Sequence, residues 1–274
     1  MMRRISLFLV TTMASVAAAA ESRVNMPQGV TEVSREIYDL HMLIFLVCCA
    51  IAVFVFGWMI IALVLHRKSR GVEPAKFSHS TKAEIVWTII PIGILIGMAI
   101  PAAETLVKIE DSRNPDITVK VTGYQWKWHY EYLDEGVDFY SNLARSSNEA
   151  RRLGSGIDPE SVPNYLLEVD NPMVVPVGAK VRVLITSNDV IHAWWMKDFG
   201  IKKDAIPGYI NEAWFRAEEP GTYRGQCAEL CGKDHGFMPI VVEVREQADY
   251  EGWVAARQAE QGVAPKVAKA SAAD

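Results

Sequence analysis

Apolar residues are unevenly spread along this 274-residue chain, and most of the excess precedes residue 110. Met42 to Leu65 runs without a charge and is long enough to cross a bilayer, which takes roughly 20 apolar residues. Ile85 to Ala103 is a second uncharged run, slightly short and interrupted by Pro91 and Pro101. Prolines are tolerated in membrane helices where neighbouring groups satisfy the freed carbonyls. The polar link between the runs sets Arg67, Lys68, Arg70, Lys76 and Lys82 against Glu73 alone, so the positive-inside bias makes it cytoplasmic. At the start, Arg3 and Arg4 precede a short apolar stretch and an alanine run with cleavage points near Ala19 or Ala20, the layout of a secretory signal peptide. The pattern thus predicts a signal peptide over 1–20, an exported segment over 21–39, transmembrane helices over 40–66 and 84–107, and a cytoplasmic loop over 67–83.

Past residue 108 the period shortens. "ITVKVTGYQWKWHYEY" alternates, with Ile117, Val119 and Val121 on one face. "AKVRVLITS" alternates through Val181, Val183 and Ile185, and "MPIVVEV" supplies a last strand. Turn signals at Asn171-Pro172, Pro207-Gly208 and Pro220-Gly221 separate these runs. Short strands without a long amphipathic helix predict a compact all-β sandwich or barrel over 108–250. Residues 141–163 show no clear period and read as an exposed insertion. The 251–274 tail, rich in Ala, Gln, Glu and Lys, predicts a short helix around Trp253 and a partly disordered end.

Charge adds a partner question. The whole chain carries a formal net charge of -5, while residues 104–250 hold 24 acidic against 16 basic side chains. An acidic exported face suits a basic soluble partner, and it equally serves plain solubility. No nucleic-acid partner is expected.

Chemistry concentrates in "GQCAELCGKDHGFMP", which sets Cys227, Cys231, His235 and Met238 within twelve positions. The remaining cysteines, Cys48 and Cys49, lie in the first apolar run and read as small hydrophobes. A disulfide is the usual state of a single cysteine pair in an exported domain. Zinc is a second reading, although zinc sites rarely recruit methionine. Copper is the third, because thiolate, imidazole and a weak thioether together are what copper electron-transfer sites use. The surroundings favour copper: "PGTYRGQC" is a turn and strand feeding Cys227, and "MPIVVEV" is a strand leaving Met238. A disulfide would leave His235 and Met238 without a purpose. A second cysteine four residues from the first lets both thiolates bridge two ions, which need a further imidazole. His192, ending "VRVLITSNDVIH", is the candidate, and His129 reads as structural or surface.

Residues 31–247 resemble subunit II of the haem-copper cytochrome c oxidases. The resemblance rests on "AEIVWTIIP", "VTGYQWKWHYEY", "LEVDNPMVVPVG", "SNDVIHAW", "KKDAIPG" and "GQCAELCGKDHGFMPIVVEV". It implies a two-helix transmembrane hairpin followed by an all-β cupredoxin-like barrel domain with a binuclear copper centre, CuA. It also implies a bacterial inner membrane location, with the copper domain in the periplasm. The implied activity is one-electron transfer from cytochrome c to the haem groups of the catalytic subunit, where oxygen is reduced to water and protons are pumped. Other oxidase subunits and membrane lipid would be further partners.

Carried over by position, Cys227 and Cys231 bridge the coppers, His192 and Met238 complete one, and His235 with the backbone carbonyl of Glu229 completes the other. The Glu229 carboxylate would reach a magnesium or manganese ion at the border with the catalytic subunit. Trp126 would be where the electron from cytochrome c is taken up, with Trp128 on the same side and Lys127 opposite. Asp189, Glu131, Glu135 and Asp138 are candidates for docking the lysine-rich face of cytochrome c. Glu84, alone an acid favoured at a helix N-terminus, would stand at the mouth of a proton path.

One stretch departs from the pattern: "AWWMKDFG" places Lys197 and Asp198 where more apolar residues are usual. No C-x-x-C-H occurs, so no covalently attached haem c is expected. A quinol oxidase subunit would lack the copper ligands, and a copper carrier would favour exposed, exchangeable ones. A nitrous oxide reductase would need a second, histidine-rich cluster, which six histidines cannot build.

Overall fold

The computed structural model describes residues 25–71, 73 and 76–263. Two units make up the chain, one of them Glu36–Asp111 and the other the segment up to Arg35 together with Ser112 onward.

Helices α1 (Glu32–Leu65) and α2 (Thr81–Ile109) carry the two apolar runs. Their side chains stay exposed: Phe54, Trp58 and Leu63 are 72%, 69% and 70% accessible, a surface suited to lipid rather than water. Helix α1 starts at Glu32 instead of residue 40, because a polar first stretch is helical too. Its cap is reciprocal: Ser34 N donates to Thr31 Oγ1 (2.9 Å) and Thr31 N to Ser34 Oγ (3.0 Å). Helix α2 starts at Thr81 rather than 84, capped by Ser80, and puts Glu84 in its first turn. Lys108 near the end of α2 pairs with Glu36 near the start of α1.

The β domain has ten strands: β1 (Ile117–Tyr124), β2 (Lys127–Tyr132), β3 (Val137–Ser141), β4 (Met173–Pro176), β5 (Val181–Ser187), β6 (His192–Met196), β7 (Ile201–Ala205), β8 (Asn211–Phe215), β9 (Gly221–Cys227) and β10 (Pro239–Arg245). One sheet runs β3-β2-β1-β5-β8 and the other β4-β10-β9-β6-β7. Pairing is antiparallel except between β1 and β5 and between β4 and β10. The two-residue period buries Val119, Val121, Trp128, Tyr130, Val183 and Ile185 from the first sheet in one core with Met173, Trp194, Met196, Ile240 and Val242 from the second. A buried hydroxyl ties the sheets: Tyr132 Oη donates to Val174 O (2.7 Å) and accepts from Val174 N (2.9 Å).

Three expectations are corrected. The aromatic stretch is not one alternating run, because β1 ends at Tyr124 and β2 begins at Lys127, with Gln125 and Trp126 in the turn between. That turn holds none of the Gly, Asn or Pro that signals a hairpin. Insertion 141–163 contains a short helix, α3 (Arg145–Ala150), anchored by the buried small residues Ser147 and Ala150. The C-terminal helix, α4 (Gln247–Gln261), begins before residue 251 and packs Trp253 on Tyr132 (5.2 Å between ring centres). Its last turn meets β3, an outer strand: the Gln261 amide donates to Asp138 O and accepts from Asp138 N. The proposed signal peptide and the end of the tail lie outside the described residues.

Candidate metal centre

Two neighbouring strands assemble the site. Cys227 closes β9 and Met238 immediately precedes β10, so the ligand loop spans adjacent antiparallel strands. His192 opens β6, which pairs with β9 through Trp194 and Cys227, and Ala228 N donates to Ala193 O (3.1 Å). The second imidazole therefore reaches the loop along the sheet.

The cysteines are unbridged, with Sγ atoms 3.9 Å apart against about 2.05 Å in a disulfide. Cys227 Sγ lies 3.9 Å from His192 Nδ1 and 3.4 Å from the Glu229 carbonyl oxygen. Cys231 Sγ lies 3.5 Å from both His235 Nδ1 and Met238 Sδ. Sulfurs 3.9 Å apart are too far for a bond to each other and close enough for both to hold the same ion. Two thiolates, two imidazoles, a thioether and a carbonyl converge, a donor set that fits copper. The ligand atoms of His192, Cys227 and Cys231 all lie within 4.8 Å of one another, and all three residues are buried.

The surroundings fix these donors. His192 Nε2 is 2.9 Å from Asp189 Oδ1, which orients the ring so that Nδ1 faces Cys227. Asp189 also accepts from Gln125 N and Val190 N, each at 2.7 Å. Burial works against its ionisation, yet the bond with His192 and these N–H groups hold its carboxyl below the usual range. Burial likewise disfavours the His192 imidazolium, but Cys227 and Asp189 beside it raise its pKa overall. Burial opposes ionisation of Cys227 as well, and hydrogen bonding with His192, the Ala193 and Glu229 backbone and His235 brings its thiol down to about 7. Burial and the charge of Cys227 push Cys231 up to about 12. Metal binding must therefore displace a proton from Cys231 at neutral pH.

Aromatic residues close the site. Trp128, fully buried, stands edge-on to His192 and donates from Nε1 to Met238 O (3.2 Å). Trp126 Nε1 donates to Cys231 O (3.2 Å), and Gln125 Nε2 donates to the same carbonyl (2.8 Å). Both tryptophans thus turn toward the ligand loop. Gly232, at φ 120°, leaves room for the indole: a Cβ there would lie 3.0 Å from Trp126 Cζ2. Helix α3 braces the far side of the loop, where Arg151 pairs with Asp234 (3.3 Å) and covers the Phe237 ring (4.3 Å).

The structure therefore brings together His192, Cys227, Cys231, His235, Met238, the Glu229 carbonyl, Trp126 and Asp189. Asp189 is engaged with His192 rather than standing free. Glu131 pairs with Lys120 (2.7 Å), and Asp138 with His129 (2.9 Å), on the outer face of the first sheet. Glu135 sits at the far end of β2, where it accepts from Tyr250 Oη (2.8 Å). Glu84 belongs to the helical unit. Sequence reasoning missed Gly123, whose Cβ would come 2.8 Å from His192 Cδ2, as well as Gln125 and Arg151. For Asp189 a signal existed, since an acid three residues before a ligand histidine is well placed to orient it.

Residues 117–245 match the family model for the periplasmic domain of cytochrome c oxidase subunit II, and residues 19–104 match that for its transmembrane domain. The probable cytochrome c oxidase subunit 2 of Rickettsia bellii is 40% identical over 226 residues, 82% of this chain and 80% of its own length. Cytochrome c oxidase subunit 2 of Cereibacter sphaeroides is 36% identical over 262 residues, covering 88% of this chain and 86% of its own. The periplasmic domain of subunit II of cytochrome oxidase from Bradyrhizobium japonicum, a crystal structure, is 43% identical and covers 54% of this chain and 98% of its own, with a TM-score of 0.47. Both halves of the chain are thus matched, and it belongs to the family of cytochrome c oxidase subunit II.

Proposed function

We propose that this chain is the electron-input subunit of a cytochrome c oxidase. It takes electrons one at a time from cytochrome c and hands them to the haem groups of the catalytic subunit, where oxygen is reduced to water with proton pumping. The observation carrying this reading is the convergence of two unbridged thiols, 3.9 Å apart, with two imidazole nitrogens, a thioether and a carbonyl. When bound, a copper pair supplies reversible one-electron exchange there.

The residues have separable tasks. Cys227 and Cys231 would bridge the pair, His192 and Met238 would complete one ion, and His235 and the Glu229 carbonyl the other. Asp189 holds His192 in the tautomer whose Nδ1 is free to bind. Trp128 restrains Met238 through its carbonyl, and burial keeps water from the thiolates. Trp126 receives the electron: its indole is one hydrogen bond from the backbone of a bridging cysteine. The exposed Glu229 carboxylate, a hard oxygen donor, would contribute to a magnesium or manganese site shared with the catalytic subunit. Glu84, at the cytoplasmic start of α2, would admit protons toward that subunit. A bacterial inner membrane with the β domain in the periplasm is supported by two lipid-suited helices and the basic link between them.

The test is copper content and spectrum of the purified oxidase. Two coppers per chain in this subunit, a purple colour and a delocalised mixed-valence electron paramagnetic resonance signal are expected, all lost in Cys227→Ser. One copper with a single-ion signal would sink the binuclear reading.

A further inference from the structure

The two ligand imidazoles are held in different ways. His192 is fully buried, and Asp189 grips its Nε2 directly. His235 is half-buried, and among the described residues its ring hydrogen-bonds to no group besides the ligand sulfurs. A ligand histidine without an orienting acceptor takes its seat from the backbone that carries it.

That backbone is a strap, residues 232–237, between two fixed points. At one end Cys231 O accepts from Trp126 and Gln125, and at the other Met238 O accepts from Trp128. Inside the strap, His235 N donates to Gly232 O (3.2 Å) and Phe237 N to Asp234 O (2.9 Å), bonds that curl it without tying it to the barrel. A Cβ at Gly236 would meet nothing within 4 Å, so that side of the turn stands open. Lys233 reaches out of the strap only to the Trp126 face, 5.7 Å from the ring centre.

The closer hold comes from Arg151, just past α3 in the 141–163 insertion. Its guanidinium directs two nitrogens at the Asp234 carboxylate (3.3 and 3.5 Å) and lies 4.3 Å from the Phe237 ring centre. It therefore grips the residue before His235 and the residue before Met238. Behind it, Nε donates to Asn148 Oδ1 (2.8 Å), which fixes the plane of the group. Helix α3 is seated in turn by the fully buried Ser147, whose hydroxyl accepts from Leu166 N (3.1 Å). Only arginine can pair through a fork and stack through its plane at once.

We propose that Arg151 is a positioning residue for His235, acting through Asp234 and Phe237, with the 141–163 insertion as the frame of that clamp. This rests on the reading of the loop as a copper site.

Copper retention in the purified oxidase tests it. In competition with a chelator, Arg151→Ala should hold copper about tenfold less tightly, the lower end of what losing an orienting partner costs. Paramagnetic proton resonances separate the two imidazoles: those of His235 should move and those of His192 should stay. Arg151→Lys, which keeps a charge without the fork or the plane, should rescue only in part. Adding Asp234→Asn to Arg151→Ala should change little, because that carboxylate has already lost its partner. Arg152→Ala, at the exposed neighbour, should match wild type. Should Arg151→Ala not accumulate, Asp234→Asn alone carries the same resonance test with Arg151 still on Phe237. Wild-type affinity with unmoved His235 resonances overturns the proposal, as does an equal shift of both imidazoles, which would mark general loosening. A wild-type oxidase without a copper pair rejects the functional reading instead, whereas a normal pair with inert Arg151 variants rejects the clamp alone.

Discussion

An alanine at position 123 puts the geometry of the centre under direct strain. Gly123 in β1 lies against His192, and a Cβ there would stand 2.8 Å from Cδ2, 3.0 Å from Cγ and 3.2 Å from Cβ of the histidine. Ordinary carbon contacts begin near 3.5 Å, so the ring must retreat by roughly 0.7 Å. It has no free space to enter. His192 is fully buried, its Nε2 is held by Asp189, and Trp128 blocks one side. Overpacking of this kind costs about 1–3 kcal/mol. In a domain of this size that is a melting temperature lower by roughly 3–10 °C. Displacing the ring from Asp189 should also weaken copper binding by about 10- to 100-fold, as loss of an orienting partner does. Thermal melts of the metal-free and loaded protein, with the visible spectrum, read both effects. Gly252→Ala is the control, because a Cβ there meets nothing within 4 Å and α4 should tolerate or welcome it. Unchanged melting and an unshifted spectrum in Gly123→Ala would refute the claim that its missing side chain seats the ligand.

Titration of the metal-free protein should release the thiol protons of Cys227 and Cys231 far apart, one near pH 7 and the other only near pH 12, followed by ultraviolet thiolate absorbance against a Cys227→Ser, Cys231→Ser control. The sign follows from His192 favouring the Cys227 thiolate, which then opposes a second charge on Cys231, and joint release near the ordinary value of 9.0 would contradict it. Tyr132→Phe strips Val174 of both partners for its buried N–H and C=O and should cost about 2–3 kcal/mol in denaturant unfolding. A midpoint equal to wild type would show that the hydroxyl does not tie the sheets. Glu84→Ala should slow steady-state oxygen reduction while electron arrival from the donor proceeds at its normal rate. Equal slowing of both would point to a folding defect.

The ligand loop was legible because its chemistry is local. Cys227, Cys231, His235 and Met238 share one connection, and alternating strands on either side announce a rigid frame. The membrane helices were legible for a similar reason, since uninterrupted apolarity needs no tertiary context. Helix α1 nevertheless begins earlier than that signal, in a capped polar stretch that hydropathy does not see. What escaped depends on contacts between distant segments. Gly123 looks like any strand glycine until His192 arrives from a strand on the other sheet. Arg151 sits in a stretch without period, and only the folded chain sets it beside Asp234, 83 residues away. Acidic composition could be counted, but whether each carboxylate is neutralised depends on cross-strand partners such as Lys120 for Glu131. Trp126 was found by its motif. Its place in a turn was hidden by the absence of a turn-forming residue.

The amide of Gln261 occupies the backbone N–H and C=O of Asp138 much as a neighbouring strand would. An open sheet margin is a template on which a second chain can add, the first step toward polymerisation. Helix α4 therefore acts as a stopper on β3 as well as a cover for Tyr132 and Phe139. Proteolytic trimming of its last turn would leave the core covered while exposing that margin, so the C-terminal helix shields this edge of the β domain from pairing with a second chain.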